Sequence, residues 1–306
     1  MRFPKLPLTA AAVAVVVLVV VLTRHAADAQ HPVRAAGVAT PTATASATPA
    51  PAAGLRAPHA ALPRGPQALA GDLADTRAAL WDAIDRWRRS GDPSKGGAPD
   101  AVALLALHQQ RIYRLLARSP GLARAIVAEL PRALRAEARD NVLARRELSR
   151  IVSVHRGPRP RIAVGPAEPA DALRGYYRAA FERFRVAPEL LAAVNFVESA
   201  FGKLRNRSVS GARGPMQFIP ATWRAYGLGG NISDPHDAIL GAANYLHANG
   251  APRAELAALL HYNPSRDYAS AITRYARRIR ADWRAFYAYY AWSVFAARKR
   301  LTGPGR

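Results

Sequence analysis

One carboxylate in the second half of the chain has the setting of a general acid. Leu191, Val194 and Glu198 are spaced by three and four residues, which places Glu198 on the apolar face of a helix. Pro188 begins this predicted helix and Gly202 follows its end. Burial and the helix carboxyl end both disfavour a negative charge, so both raise the pKa of this carboxyl. The pattern predicts a proton donor or a buried structural carboxylate.

Three motifs accompany this residue in a fixed order. Glu198-Ser199 is followed by 208–220 (SVSGARGPMQFIP), by 234–246 (DPHDAILGAANYL) and by 258–264 (ALLHYNP). The set resembles the lytic transglycosylase SLT-domain family, which carries Glu-Ser, then Ser-x-x-Gly-Ala-x-Gly-Leu-Met-Gln-x-x-Pro, then an Ala-Tyr-Asn loop. The resemblance covers about residues 173 to 280 and points to the actinobacterial type of secreted murein transglycosylase.

The resemblance implies an all-α, lysozyme-like domain that cleaves the β-1,4 bond between N-acetylmuramic acid and N-acetylglucosamine in peptidoglycan. Glu198 would be the sole catalytic carboxylate. It would protonate the glycosidic oxygen, and the substrate's 2-acetamido group would stabilise the developing cation. It would then deprotonate the muramyl 6-hydroxyl, leaving a 1,6-anhydro end, with no cofactor. A muramidase-type hydrolase and a non-catalytic cell-wall-binding protein remain the alternatives.

The resemblance also implies a set of residues that bind the glycan. On local grounds, Gly211 fits an ordinary turn as well as it fits a binding loop, and Met216 fits a core position better than a binding position. Pro215 departs from the family's usual Leu and removes a backbone donor. The implied substrate-binding residues are Ser199, Ser208, Gly211, Met216, Gln217, Phe218, Tyr262 and Asn263.

The histidines and the loop 228–237 give no metal-binding pattern. Some relatives, those like membrane-bound lytic transglycosylase B, carry a calcium loop at this place, but here the alternating Asp and Asn ligands followed by Gly are missing. His236, His247 and His261 lack metal-ligand spacing. We therefore expect neither a metal ion nor a cofactor.

The rest of the chain contains the elements that must position this site. Amphipathic helical patterns over 67–156 predict a small helical accessory domain, and a Pro- and Gly-rich linker over 157–170 separates it from the lysozyme-like domain at 171–280. No long alternating strand pattern is present, so the predicted fold class is all-α.

Aromatic residues dominate the carboxyl-terminal segment. Seven of the 13 positions in 283–295 are aromatic, and Arg298-Lys299-Arg300 follows. We predict one aromatic and basic helix over 281–306. One face of it would pack on the catalytic domain, and an interfacial contact with membrane or glycan is the alternative use of the remaining rings.

The amino terminus has the pattern of a targeting segment. Arg2 and Lys5 precede the uninterrupted apolar run 10–22, and Ala27-Asp28-Ala29 is a small-x-small cleavage candidate. Residues 1–29 are either a cleaved signal peptide or an uncleaved signal anchor, and 30–66 is a Pro-, Ala- and Thr-rich disordered linker. The sequence therefore predicts a secreted or membrane-anchored, extracytoplasmic protein.

The amino-acid composition limits the classes of molecule that this protein could bind. The 306 residues include 44 Lys and Arg against 21 Asp and Glu, a net charge of +23, and no cysteine. Without cysteine there is no disulfide, thiolate metal site, cysteine nucleophile or lipidated cysteine. Nucleic acid is the usual partner of such a charge, but outside the cytoplasm the common polyanions are lipid headgroups and cell-wall polymers. We predict peptidoglycan strands as the main partner, contact of the basic surface with an anionic membrane or polymer, and no nucleic acid.

Overall fold

The computed structural model describes residues 55–151, 162–296 and 299–304. These ranges form eleven α-helices and one two-stranded hairpin, which confirms the predicted all-α class. The predicted leader at 1–29, most of the linker at 30–66 and part of the linker at 157–170 lie outside the described residues. Within the described ranges, every helix is too short or too polar to cross a bilayer.

Four helices form the amino-terminal part of the structure. They follow the amphipathic pattern, and Pro131, which has no N–H to donate, lies between the third and the fourth. The helices are α1 (Pro66–Ser90), α2 (Asp100–Arg118), α3 (Pro120–Glu129) and α4 (Arg132–Ile151).

Seven further helices follow, and three of them begin at a proline, the residue best suited to a first helical position. Asp234 caps one of these, since its Oδ1 accepts from the Asp237 N–H at 3.0 Å. The helices are α5 (Ala170–Phe184), α6 (Pro188–Ser199), α7 (Pro220–Tyr226), α8 (Pro235–Ala248), α9 (Glu255–Tyr262), α10 (Arg266–Ala281) and α11 (Arg284–Ala291).

Helix α6 lies at the centre of this arrangement. Every residue from Leu190 to Ser199 is buried, because α5, α8, α10 and α11 all pack against the helix. A helix that is buried on all sides has no solvent-facing position for a charge. The fold therefore forces the Glu198 side chain into the protein interior.

Helix α4 joins the amino-terminal helices to the rest of the structure. It packs along α10, and the carboxylate of Asp140 forms ion pairs with Arg274 at 3.3 Å and Arg278 at 2.8 Å. One hydrophobic cluster runs from Leu69 in α1 to Val294 beyond α11. The proposed accessory and catalytic regions share this core, and their boundaries remain a prediction.

The prediction of one helix over 281–306 is wrong. Helix α11 ends at Ala291, and a short hairpin follows in which β1 (Phe295–Ala296) pairs antiparallel with β2 (Lys299–Arg300). Distant side chains replace the helical hydrogen bonds, because the Ser293 N–H donates to Gln110 Oε1 at 3.0 Å and the Val294 N–H to Thr302 Oγ1 at 2.9 Å. Local sequence patterns do not contain these long-range partners.

The interfacial use is also wrong for three of the carboxyl-terminal rings. Tyr287, Tyr289 and Trp292 are all buried, and Tyr289 stacks on Phe196 with ring centroids 5.2 Å apart. Tyr287 meets Trp87 of α1 edge to face at 5.6 Å. These rings therefore belong to the core between α1, α6 and α11, as the packing alternative expects.

Candidate active site

Glu198 lies in the last turn of α6 and is 2% exposed to solvent. The Tyr268 hydroxyl, in the first turn of α10, donates to Glu198 Oε1 at 2.6 Å. Burial raises the pKa of Glu198 to about 8, and the hydrogen bond from Tyr268 partly opposes that shift. The carboxyl group therefore keeps a proton at neutral pH, which is the state that a general acid needs.

Two phenols lie near this carboxyl, the buried Tyr268 and the half-buried Tyr262. Burial, followed by the charge of Glu198, holds the pKa values of Tyr262 and Tyr268 well above the ordinary value for tyrosine. Both therefore remain hydrogen-bond donors. The Tyr262 hydroxyl donates to the Met216 carbonyl at 2.6 Å and so fixes the loop that follows α6.

Ser199 connects the end of α6 to the same loop. Its hydroxyl donates to the Pro215 carbonyl at 2.5 Å and accepts from the Gly202 N–H at 2.7 Å. Ala200 and Phe201, between these residues, have positive φ angles of 51° and 64°. The Ser199 hydroxyl, which donates one hydrogen bond and accepts another, thus stabilises the strained carboxyl end of α6.

The segment 213–218 is a tight turn. The Arg213 N–H donates to the Phe218 carbonyl at 2.9 Å, and the Phe218 N–H donates to the Arg213 carbonyl at 2.9 Å. Gln217 has a positive φ of 49°, and its Nε2 donates to the carbonyls of Gly214 at 2.9 Å and Asn206 at 3.3 Å. Because Nε2 has two acceptors, the amide orientation is fixed. Among the described residues, the buried Gln217 Oε1 has no donor.

Gly214 permits this turn to approach the segment before α8. Its φ is +74°, and an added Cβ would lie 1.9 Å from the Ile232 carbonyl oxygen. We expect Gly214→Ala to lower the free energy of unfolding by roughly 3 kcal/mol or more, because strain and a backbone clash combine. Urea unfolding measures this change.

Gly211→Ala is the matched control, since Gly211 has a φ of +84° but open space around its Cβ position. Its expected cost is about 1 to 2 kcal/mol, from the left-handed backbone alone. Equal losses in the two variants would contradict the close approach to Ile232.

Ser208 and Gly211 lie at the outer end of the loop. Ser208 Oγ accepts from the Ala212 N–H at 2.9 Å and lies 2.9 Å from Ser210 Oγ. The Gly211 N–H donates to the Ser208 carbonyl at 2.9 Å. The described contacts therefore brace the loop and do not bring these residues to Glu198.

The remaining predicted binding residues are buried. Met216 is inaccessible to solvent, and Phe218 meets the Trp223 ring edge to face at 5.2 Å. Asn263 Oδ1 accepts from the Ser265 N–H at 3.1 Å, which begins the turn into α10. Phe218 and Asn263 thus support the walls of the site.

Sequence reasoning missed Tyr268. A signal was present, because Ser265 is a good amino-terminal cap and its Oγ accepts from the Tyr268 N–H at 3.2 Å. That cap fixes Tyr268 in the first turn of α10, close to Asn263 of the third motif.

The start of α8 gathers three potential ligand atoms. Those of Asp234, His236 and Asp237 lie within 4.8 Å of one another. Asp234 Oδ1 already accepts from the Asp237 N–H, and Asp237 Oδ2 accepts from the Asn231 N–H at 2.8 Å. These contacts are those of a capped helix start, and we assign no ion to them.

The fold and the site together define a helical domain built around one buried acid. Residues 175–286 match the family model described as Transglycosylase SLT domain, in agreement with the motifs. This match supports, for that part of the chain, a function of the lytic transglycosylase type that acts on peptidoglycan. No curated protein and no solved structure matched the chain.

The Tyr268 hydrogen bond leads to a prediction about pH. Tyr268→Phe removes a donor that favours the charged form of Glu198, so the pKa of Glu198 should rise further. The high-pH limb of the profile of kcat/KM against pH should then move to higher pH in the variant. Glycan cleavage assayed from pH 5 to pH 10 measures this change.

Tyr289→Phe provides the control for this change. It also deletes a buried hydroxyl, which donates to Asn141 Oδ1 at 2.9 Å, away from Glu198. Its pH profile should match that of the wild type. A high-pH limb that stays in place in Tyr268→Phe would remove Tyr268 from the catalytic machinery.

Proposed function

We propose that the chain is a peptidoglycan lytic transglycosylase that cleaves the MurNAc–GlcNAc β-1,4 bond and leaves 1,6-anhydroMurNAc ends. The observation that carries this proposal is the burial of Glu198, whose carboxyl group accepts a hydrogen bond from Tyr268. Within the described residues, the pKa of Glu198 responds to burial and to Tyr268, with no contribution from a second carboxylate. Hydrolases of the ordinary kind need two carboxyl groups, whereas substrate-assisted cleavage needs one.

The two proton transfers follow from this environment. Glu198 gives its proton to the glycosidic oxygen as the bond to the muramyl anomeric carbon breaks, and the substrate's acetamido group stabilises the cation. The carboxylate left behind is buried, with one hydrogen bond from Tyr268, and it is therefore a strong base. It takes the proton of the muramyl 6-hydroxyl while that oxygen bonds to the anomeric carbon. Protons balance, and no water is consumed.

Gln217 is the best candidate for a direct contact with the glycan. Its Oε1 is buried without a donor among the described residues, so it can accept from a sugar hydroxyl or an acetamido N–H. Ser199 and Tyr262 use their hydroxyls on backbone carbonyls of the loop that presents Gln217. We assign these two as positioning residues.

The proposed setting is extracytoplasmic, on the cell wall. The leader at 1–29 would provide secretion or anchoring, and peptidoglycan strands would be the main partner. Assignment to the actinobacterial type remains a prediction based on the motifs.

Digestion of purified sacculi by the full chain tests the reaction. The proposal expects soluble muropeptides whose muramyl ends are lighter by one water than reducing ends, as measured by mass spectrometry. Reducing muramyl ends would identify a muramidase-type hydrolase. Intact sacculi that nevertheless retain the protein would identify a non-catalytic cell-wall-binding protein.

A further inference from the structure

Helices α3 and α4 enclose a groove that the proposed reaction does not use. The groove has a volume of about 300 Å³ and is lined by ten residues. Val127, Val142 and Leu143 contribute apolar surface to it, and Val127 and Leu143 are half-buried. α4 uses a different set of residues, including Asp140 and Glu147, for its ion pairs with α10. The groove is therefore separate from the Glu198 site.

Four arginines line the same groove. Arg124 comes from α3, and Arg135, Arg139 and Arg146 come from α4 at spacings of four and seven residues, which keeps them on one helix face. None of the ten lining residues is acidic. Arg139 and Arg146 are about 10 Å apart along the helix axis, so they can meet an anionic group from two sides.

Arg135 differs from the other three, because it is held in place. Its Nε donates to the Leu130 carbonyl at 2.8 Å and its Nη2 to the Ala128 carbonyl at 2.8 Å. These bonds satisfy the carboxyl end of α3 and fix a positive charge beside the groove.

We infer that this groove binds an anionic membrane lipid, with the acyl chain on the apolar surface and the phosphate against the arginines. Charge complementarity favours an anionic ligand, because four arginines and no acidic residue line the groove. The apolar surface selects a lipid, because a polyol phosphate or another cell-wall polymer has no hydrocarbon to place there. The predicted leader at 1–29, with its apolar run at 10–22, would bring the chain to such a surface.

A short-chain lipid below its micelle concentration tests the groove in the full-length chain. Titration calorimetry should show one dihexanoyl phosphatidylglycerol bound per chain, about tenfold or more tighter than dihexanoyl phosphatidylcholine. Glycerol phosphate, which has the headgroup without the chains, should bind at least about tenfold more weakly than the lipid. Equal binding of glycerol phosphate would overturn the lipid assignment in favour of a polymeric or free phosphate.

Substitutions test the arginines and the apolar surface of the groove separately. Arg139→Glu with Arg146→Glu should weaken phosphatidylglycerol binding by about tenfold or more, and Leu143→Gln should weaken it by about threefold to tenfold without a change of charge. The control is Arg178→Glu with Arg253→Glu, which makes the same charge change at exposed positions outside the groove and should bind like the wild type.

If the control and the groove charge variant lose phosphatidylglycerol affinity equally, the net charge of the chain explains the binding and the groove is not the binding site. Normal binding by Leu143→Gln would overturn the role of the apolar surface. Thermal unfolding of each variant checks that the fold persists. Glu198→Gln should bind the lipid normally, so failure of the proposed catalysis and failure of this site are distinguishable.

Discussion

Glu198→Gln is expected to lower the rate of glycan cleavage by about 10² to 10⁴-fold, which is the range that general acid and base catalysis contributes. The effect should lie toward the upper end, because one group performs both proton transfers. The fold should persist, since an amide oxygen can accept the Tyr268 hydrogen bond that Glu198 Oε1 accepts at 2.6 Å. Release of soluble fragments from sacculi measures the rate, and circular dichroism checks the fold.

Glu189→Gln is the matched control, because it makes the same chemical change at the first turn of the same helix. Its activity should stay near the wild-type value. A Glu198→Gln variant that cleaves glycan at a similar rate to this control would remove Glu198 from the reaction.

The second large effect concerns stability and pH. The pKa of Glu198 is about 8 in the folded protein against an ordinary value of 4.5, so between these pH values the folded state binds the proton that the unfolded state has lost. The free energy of unfolding should therefore fall as pH rises through this interval, by an amount on the order of 1 kcal/mol per pH unit. Glu198→Gln has no such proton. The free energy of unfolding of this variant, taken relative to that of the wild type, should therefore increase with pH.

Urea unfolding of both proteins at pH 5, 6.5 and 8 measures that growing difference, in which the other titrating groups cancel. The Glu189→Gln control should follow the wild type. A constant difference between wild type and Glu198→Gln would mean that the burial of Glu198 does not shift its pKa.

The buried position of Glu198 could be predicted from the sequence because its causes are local. Spacing of three and four from apolar residues places it on the inner face of α6, and Pro188 begins that helix as predicted. The helix ends at Ser199, three residues before the predicted stop at Gly202. The sequence also predicts the capped start of α8 at Asp234, where the cap lies three residues from its partner. In both cases the interacting groups lie within one helical turn of each other.

The features that were missed depend on long-range contacts. Tyr268 reaches Glu198 across 70 residues of sequence, and the Ser293 N–H meets Gln110 across 183. The second contact is one reason why the carboxyl-terminal helix stops early. The aromatic residues of 283–295 were compatible with either a core or an interface, and only the position of α1 beside α11 decides between them.

The groove between α3 and α4 also could not be predicted from local sequence patterns. The basic residues of 124–146 are evident in the sequence, but their grouping around an apolar surface requires two helices that meet at Pro131. A charge of +23 therefore indicated an anionic partner without indicating where it binds.

Cleavage of glycan strands in H₂¹⁸O shows whether water takes part in the reaction, which it should not if one buried carboxyl group performs both proton transfers. Mass spectrometry of the products should show 1,6-anhydro muramyl ends that carry no heavy oxygen. Muramyl ends that each contain one ¹⁸O atom would show that water attacked the anomeric carbon and that the enzyme is a hydrolase.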